Sequence, residues 1–303
     1  MKVLIAGGSG FLGRAISKEL LDIGHEVAWL SRSPKVLMKQ IPVFVWNPAD
    51  STMDSRAWDW AEAVINLAGE SIGDTPWTEA GKSKIRNSRL QAVQTLRVSA
   101  QKHAVSLKAF VGVSGAGYYG NKGIKPFVET DGPGGSFPAL VALDWEKSYA
   151  KFEEHVPCGN FCVVRLAVVL DRQNGALPRI QKPFSMGFGA TPGTGRQPFN
   201  WIHVHDAARL FVEALNWSGT FNFSAPELTV LEEVSQWFRR RYQQWIPQMH
   251  LPAWGFQLAM GERSGLILEG NHSNVQAILS KGFTFQFPKL VAALEDLFGP
   301  LPK

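Results

Sequence analysis

A chain of 303 residues, 45% hydrophobic and 19% charged, has room for two domains or one elaborated α/β unit, and its composition excludes intrinsic disorder, a collagen-like repeat and a coiled coil. The 31 Lys and Arg against 26 Asp and Glu leave a net charge of +5, but the basic residues are scattered, so no nucleic-acid partner is expected. No apolar run reaches the ~18–20 residues of a membrane span, the opening MKVLIAGGSG reads as a buried strand and not a signal peptide, and with no cysteine framework the expected location is the cytoplasm.

The periodicity predicts a strand over Lys2–Ala6, a glycine turn, a helix over Phe11–Ile23 and a strand over His25–Leu30, with Gly24 ending the helix. This is a βαβ unit. Apolar runs follow at Val43–Trp46, Ala63–Leu67, Ala109–Val113 and Phe161–Val169, with helical stretches Lys82–Lys102 and Ala139–His155 between the later ones. Such alternation implies a parallel sheet covered on both faces. Cys158 and Cys162 fall on one face of a strand, where a disulfide does not fit and a metal site lacks further thiols.

After Val169 the pattern changes. Pro178, Pro183, Pro192 and Pro198 break a segment containing Gly187, Gly189, Gly193 and Gly195, which reads as a loop-rich excursion. A strand over Asn200–Val204, a helix N-capped by Asp206 and running through Leu215, and a strand over Thr220–Ser224 return the chain to the sheet. From Thr229, with Glu232 as its capping-box partner, the remainder reads as mainly helical and carries Trp237, Trp245 and Trp254.

Gly7-Gly8-Ser9-Gly10-Phe11-Leu12-Gly13 lies directly after the first strand and opens the first helix. There, Gly7 permits a tight turn, Gly10 lets the backbone approach a pyrophosphate, and Gly13 lets the helix lie close to the strand, while the helix N-terminus offers N–H groups to the anion. This is a dinucleotide fingerprint. An NAD-preferring site places an acid at the end of the second strand. Here that end reads Leu30-Ser31-Arg32, and no Asp or Glu occurs from Val27 to Ala49, whereas Arg32, Lys35 and Lys39 do. A guanidinium beside a hydroxyl suits a 2′-phosphate, so NADP(H) is the expected cofactor. The fourth strand ends in Asn66-Leu67-Ala68-Gly69-Glu70, whose small residues let the backbone pass beneath an adenine or ribose.

GGSGFLG, the NLAG at 66–69, Val113-Ser114, Arg165 and FNWIHVHDAA at 199–208 occur in the order of an extended short-chain dehydrogenase/reductase, which the chain resembles. NLAGESI, the WTE and SRL of 77–90, GYYG at 117–120 and GTGRQPFNWIH are similar to the atypical epimerase-like branch of that family, labelled nucleoside-diphosphate-sugar epimerase or cell-division inhibitor. The stretch from LPAWGFQLAMGE through GFTFQFPKLVAAL resembles the small domain of unknown function that closes that branch. The resemblance implies a Rossmann-type doubly wound parallel sheet, with a smaller, mainly helical C-terminal domain facing the nicotinamide. The expected division is 1–175 with 200–224 for the NADP-binding domain, and 176–199 with 225–303 for the substrate side. Carried over residue by residue, it implies cofactor contacts from Gly7, Gly10, Phe11, Leu12, Gly13, Ser31, Arg32, Leu67, Ala68, Gly69, Glu70 and Arg89, with Val169 at the nicotinamide end. Of these, Glu70 and Arg89 rest on the resemblance alone.

Typical members of that family pair a Tyr with a Lys four residues on, in the helix after Ser114, so that the ammonium tunes the phenol. Aligned on Glu146, this chain has Pro138 and Ala142 at those places. Tyr118 and Lys122 show the spacing, but Gly117, Gly120 and Gly123 surround them and remove the helix that makes the spacing meaningful. The expected catalytic groups are therefore Ser114, holding a substrate oxygen, and Tyr118 or Tyr119, delivering a proton from the following loop. His203 and His205 share a strand face, but no third ligand stands nearby except Asp206, so no metal is expected; Arg196 is a candidate anion contact. The expected function is that of an NADP(H)-dependent oxidoreductase or epimerase-like enzyme acting on a small molecule, nucleotide-linked substrates included. The alternative is an NADP(H)-binding sensor whose catalysis has been lost.

Overall fold

The computed structural model describes residues 1–33, 41–121, 123–243 and 249–302; Lys35, Lys39, Lys122 and Trp245, singled out above, lie outside them. Eight strands form one sheet: β1 (Lys2–Ala6), β2 (Glu26–Ser31), β3 (Val43–Asn47), β4 (Thr52–Met53), β5 (Ala63–Asn66), β6 (Leu107–Gly115), β7 (Cys158–Leu166) and β8 (Gly219–Phe223). Their order is β8-β7-β6-β5-β1-β2-β3-β4, and every pairing is parallel except that of β3 with β4. Val3, Leu4, Ile5 and Ala6 of β1 have no exposed surface, which is why this strand reads as one unbroken apolar run. The strand order reverses at β1, so the crevice beyond β1 and β5 is where such a sheet binds ligands.

Three long helices frame that crevice: α1 (Phe11–Asp22), α2 (Glu79–Lys102) and α3 (Phe137–Glu153). Helix α1 stops at Gly24 (φ 83), whose N–H donates to Leu21 O at 3.0 Å while that of His25 donates to Leu20 O at 2.9 Å; the left-handed conformation this requires suits glycine. Helix α2 begins at Thr78, whose hydroxyl accepts the N–H of Gly81. Helices α2 and α3 pack together, and α1 packs on the helix Val204–Glu213.

Several local expectations are corrected. The run Phe161–Val169 is two strands: β7 ends at Leu166, and Val168–Leu170 pairs with Trp201–His203. The Pro- and Gly-rich excursion contains a helix, Leu177–Ser185, whose early Pro178 falls where no intrahelical N–H is needed. Asp206 does not cap its helix, which starts at Val204 with His203 as N-cap; the His203 ring accepts the His205 N–H at 3.2 Å. The fully buried Asp206 carboxylate instead accepts the N–H groups of Gln286 and Phe287 at 2.9 and 2.8 Å. His203 and His205 consequently do not share a strand face. The helix Leu231–Arg241 is capped at Val230, which lacks a side-chain acceptor, so only the half of the box in which Glu233 accepts the Val230 N–H exists. Thr229 takes the Trp201 indole N–H at 2.9 Å.

Three cores result. The largest lies on both faces of the sheet; a second gathers Leu170, Trp201, Trp237, Phe238 and Leu294 among the later helices; a small third joins Tyr118, Tyr119, Phe127 and Ala142. The first two exchange residues across the expected boundaries, since Trp201 joins the second while Val275, Ile278 and Phe283 join the largest. Both cysteines are free, with thiols pushed up to about 12 by burial. Among the described residues no group of three His, Cys, Asp or Glu could hold a metal ion, and no helix is long and apolar enough to cross a membrane.

Candidate functional site

A cleft of 1340 Å³ opens at the C-terminal ends of β1, β2, β5 and β6. Gly7 (φ 82) turns the chain out of β1, and Gly10, the N-cap of α1, donates its N–H to Gly7 O at 3.1 Å. No side chain caps α1, so Phe11, Leu12 and Gly13, which line the cleft, carry N–H groups with no intrahelical acceptor. A Cβ on Gly13 would lie 2.6 Å from Gly7 O and Gly8 Cα, and one on Gly7 would lie 3.2 Å from the Leu67 carbonyl carbon. Turn, helix start and β5 exit are thus packed backbone to backbone. Gly8 answers a different need: a Cβ there would be 2.1 Å from the Trp29 indole, which donates to Ser17 Oγ, itself donating to Gly13 O. With the positive end of α1 pointing into it, the cradle suits a pyrophosphate.

Ser31 and an exposed Arg32 line the same cleft from the end of β2. Asn66 shapes the exit of β5: its Oδ1 accepts the Ala68 N–H at 3.2 Å and its Nδ2 donates to the Tyr149 hydroxyl at 3.1 Å. That hydroxyl donates to Val113 O at 3.0 Å. Leu67, Ala68 and Gly69 follow along the cleft floor. Arg89 passes close over Gly69, with Cγ 3.1 Å from where a Cβ would stand. Arg89 Nη1 donates to Glu70 O at 2.9 Å and Ile85 O at 2.8 Å, and its guanidinium lies 4.8 Å from the Trp145 ring centroid. Burial pulls its pKa down to about 10, against the opposing influence of Tyr149 and Glu70. Glu70 and Arg89, distant in sequence, are therefore neighbours; Glu70 also pairs with Lys84 at 3.1 Å.

Ser114, 3% exposed at the end of β6, lines the cleft and donates to Glu146 Oε1 at 2.8 Å. Arg165 grips Glu146 with Nε to Oε1 at 2.9 Å and Nη2 to Oε2 at 2.8 Å. Its Nη1 donates to the Tyr119 hydroxyl and to Glu129 O, each at 2.9 Å, and Tyr119 donates to Asn222 Oδ1 at 2.6 Å. A polar chain thus runs from the cleft into the core. Tyr118 and Tyr119 are not part of the cleft lining. The guanidinium lies 3.6 Å from the Tyr118 centroid, while Tyr119 is wholly buried, stacked on Phe127, and its phenol pKa is raised by burial. A buried cation needs aromatic faces and acceptors, and the Tyr118 ring and the Tyr119 hydroxyl serve that need. Pro138 and Ala142 do line the cleft. Glu146, Trp145, Tyr149 and Asn222 were not expected among the working groups, and only the use of Glu146 as an alignment anchor marked it at all.

Val169 lines the cleft beside Pro198, Phe199 and Asn200. Asn200 Nδ2 donates to Asn271 Oδ1 at 2.9 Å and Ser273 Oγ at 2.8 Å; Asn271 Nδ2 donates to Ala116 O at 2.9 Å and Gly120 O at 3.1 Å. These amides tie the C-terminal wall to the turn after Ser114. At the mouth, Arg179 pairs with Asp74, Lys82 pairs with Glu262, and Arg263 Nη2 donates to Gly73 O at 2.6 Å. Arg196 is exposed and outside the cleft lining.

Residues 3–139 match the NAD dependent epimerase/dehydratase family, and residues 251–297 match a domain of unknown function (DUF1731). A mouse protein, epimerase family protein SDR39U1, is 33% identical across 98% of this chain and 99% of its own. Epimerase family protein YfhF of Bacillus subtilis is 31% identical across 98% of both chains. The crystal structure of human epimerase family protein SDR39U1 (isoform 2) with NADPH is 30% identical, covers 98% of this chain and 99% of that one, and superposes with a TM-score of 0.84.

Proposed function

This chain belongs to the epimerase family of those relatives, and from that premise we propose that it binds NADP(H) and moves a hydride to or from a carbon atom of a small carbonyl or alcohol substrate. The observation that carries the reading is the uncapped start of α1, packed against Gly7 and opening into the cleft that Ser114 lines. The N–H groups of Phe11, Leu12 and Gly13 hold the pyrophosphate. Ser31 and Arg32 take the 2′-phosphate, Leu67, Ala68, Gly69, Glu70 and Arg89 flank the path toward the nicotinamide, and Val169 stands at its far end. The bound dinucleotide supplies or accepts the hydride. The later segments supply the substrate wall through Pro198, Phe199, Leu266 and Glu269.

Proton movement falls to Ser114 and Glu146. Because the Ser114 hydroxyl donates to Glu146, its Oγ lone pairs remain to accept from an alcohol seated in the cleft. The polarity of that chain, alcohol to Ser114 to Glu146, is the polarity of proton removal, and in reverse it returns a proton to a carbonyl oxygen being reduced. Arg165 holds both Glu146 oxygens in place for this.

The second reading, a sensor without turnover, is favoured by the apolar Pro138 and Ala142 in the cleft wall. One experiment separates the two: protein loaded with NADPH is mixed with a panel of aldehydes and ketones, and loss of the reduced nicotinamide absorbance is followed. Turnover is expected, and Ser114→Ala should lower kcat by about 100-fold with NADPH affinity unchanged. Tight NADPH binding with no turnover of any carbonyl would establish the sensor.

A further inference from the structure

We propose that the substrate is an uncharged carbonyl compound with an aromatic or alicyclic body and no phosphate, an inference that rests on the redox reading of the cleft. Beyond Ser114 the lining includes a group of aromatic and apolar side chains. Trp77 and Phe137 meet edge to face with centroids 4.8 Å apart, and Phe199 and Leu266 line the same cleft from the later segments.

The placement of charge along the lining disfavours a diphosphate as well. Among the described lining residues the cations are Arg32, Lys84 and Arg89, all in the part assigned to the dinucleotide. Of these, Lys84 is paired with Glu70, and Arg89 Nη1 is spent on two backbone carbonyls. The substrate part of the lining carries Asp74, Glu262 and Glu269 instead. The nearby cations Arg179 and Lys82 neutralise Asp74 and Glu262, and Arg263 is held on Gly73 O. Glu269 has no ion-pair partner among the described residues, so the lining of the substrate part presents an unpaired carboxylate and no cation, while Arg263, outside that lining, offsets the charge overall. Helix α3 begins there, but Pro138 deletes one of its free N–H groups. A nucleoside diphosphate needs cations or a helix N-terminus for its phosphates, and here it would meet a carboxylate. In the reducing direction the carbonyl carbon takes one hydride, its oxygen takes one proton through Ser114, and the dinucleotide is left oxidised.

The test compares acetophenone with UDP-glucose on protein saturated with NADPH, each binding curve measured by ligand-observed magnetic resonance. Acetophenone should bind at least about tenfold more tightly, and Glu269→Lys should strengthen UDP-glucose binding by about tenfold or more while leaving NADPH affinity unchanged. Equal or tighter binding of UDP-glucose by the unaltered protein overturns the proposal. So does an unchanged UDP-glucose affinity in Glu269→Lys, or failure of acetophenone to bind. NADPH binding is measured separately by calorimetry; its failure would sink the cofactor reading, and Glu269→Lys would still decide the charge class, because Glu269 lies outside the cofactor part.

Discussion

Replacing Arg165 with Met asks whether the chain behind Ser114 is held together by charge. The guanidinium is 5% exposed and donates four hydrogen bonds, two to Glu146, one to Tyr119 and one to the Glu129 carbonyl. Its removal strands the Glu146 carboxylate, whose side chain is only 15% exposed, with Ser114 as its remaining donor. Leaving one member of such a pair uncompensated costs ~3–5 kcal/mol, a large share of a total stability of ~5–15 kcal/mol. At ~2–4 °C per kcal/mol, the thermal midpoint should fall by roughly 6–20 °C. Arg165→Met combined with Glu146→Leu removes both charges and should recover most of that loss, since apolar replacement of a buried pair is close to neutral. Urea unfolding of the four proteins in the cycle reads this directly. The reasoning fails if Arg165→Met lies within ~1 kcal/mol of the unaltered protein, or if the double substitution is no more stable than the single one.

Arg32→Ala should weaken NADPH by about tenfold or more and leave NADH almost unchanged, because the lost charge-assisted bond is to the 2′-phosphate alone; calorimetry with both dinucleotides checks this, and equal binding by the unaltered protein contradicts it. Acid should destabilise the fold through His203. This ring is 3% exposed against Phe287, and its pKa is lowered by desolvation, which outweighs the opposing Asp296 and Asp206. Burial also lowers His25 and His272. The unfolded imidazole takes its proton near 6.5 and the folded one only at lower pH, so the unfolded state binds more protons between those two points and stability falls as pH drops through that interval. Urea midpoints measured across the interval should decline, with a shallower slope in His203→Gln; a rise on acidification would contradict the assignment.

The glycine turn is legible in the sequence because its demands are local. Gly7 must take a left-handed turn out of its strand and Gly13 is packed against Gly7 and Gly8, demands that follow from one strand entering one helix, whereas the contacts of Gly7 with Leu67 and of Gly8 with Trp29 come from other strands. Strand alternation is legible for the same reason, since β1 and β5 are buried on both faces. The Ser114 chain is not. Glu146 and Arg165 come from a helix and a strand, and no periodicity announces that they meet. Residue spacing places Tyr118 and Tyr119 after Ser114 but cannot say that a buried guanidinium claims their rings. Asp206 looks like a cap because it precedes an apolar helical run. Its partners lie 80 and 81 residues further on, at Gln286 and Phe287, beyond any local pattern.

That last contact orders events during synthesis. A nascent chain that has reached β8 already contains every strand of the main sheet, yet the Asp206 carboxylate is still without the two N–H groups that stabilise it in the interior, and the positions of Ile278 and Phe283 in the largest core are empty. Until then only Arg209, from the same helix, pairs with that carboxylate, and an under-satisfied buried charge disfavours closure of that face ahead of the second half. At ~5–20 residues per second, the interval between β8 and Phe287 leaves a nearly finished sheet with one open flank on the ribosome, a surface that invites chaperone capture until the chain returns to seal it.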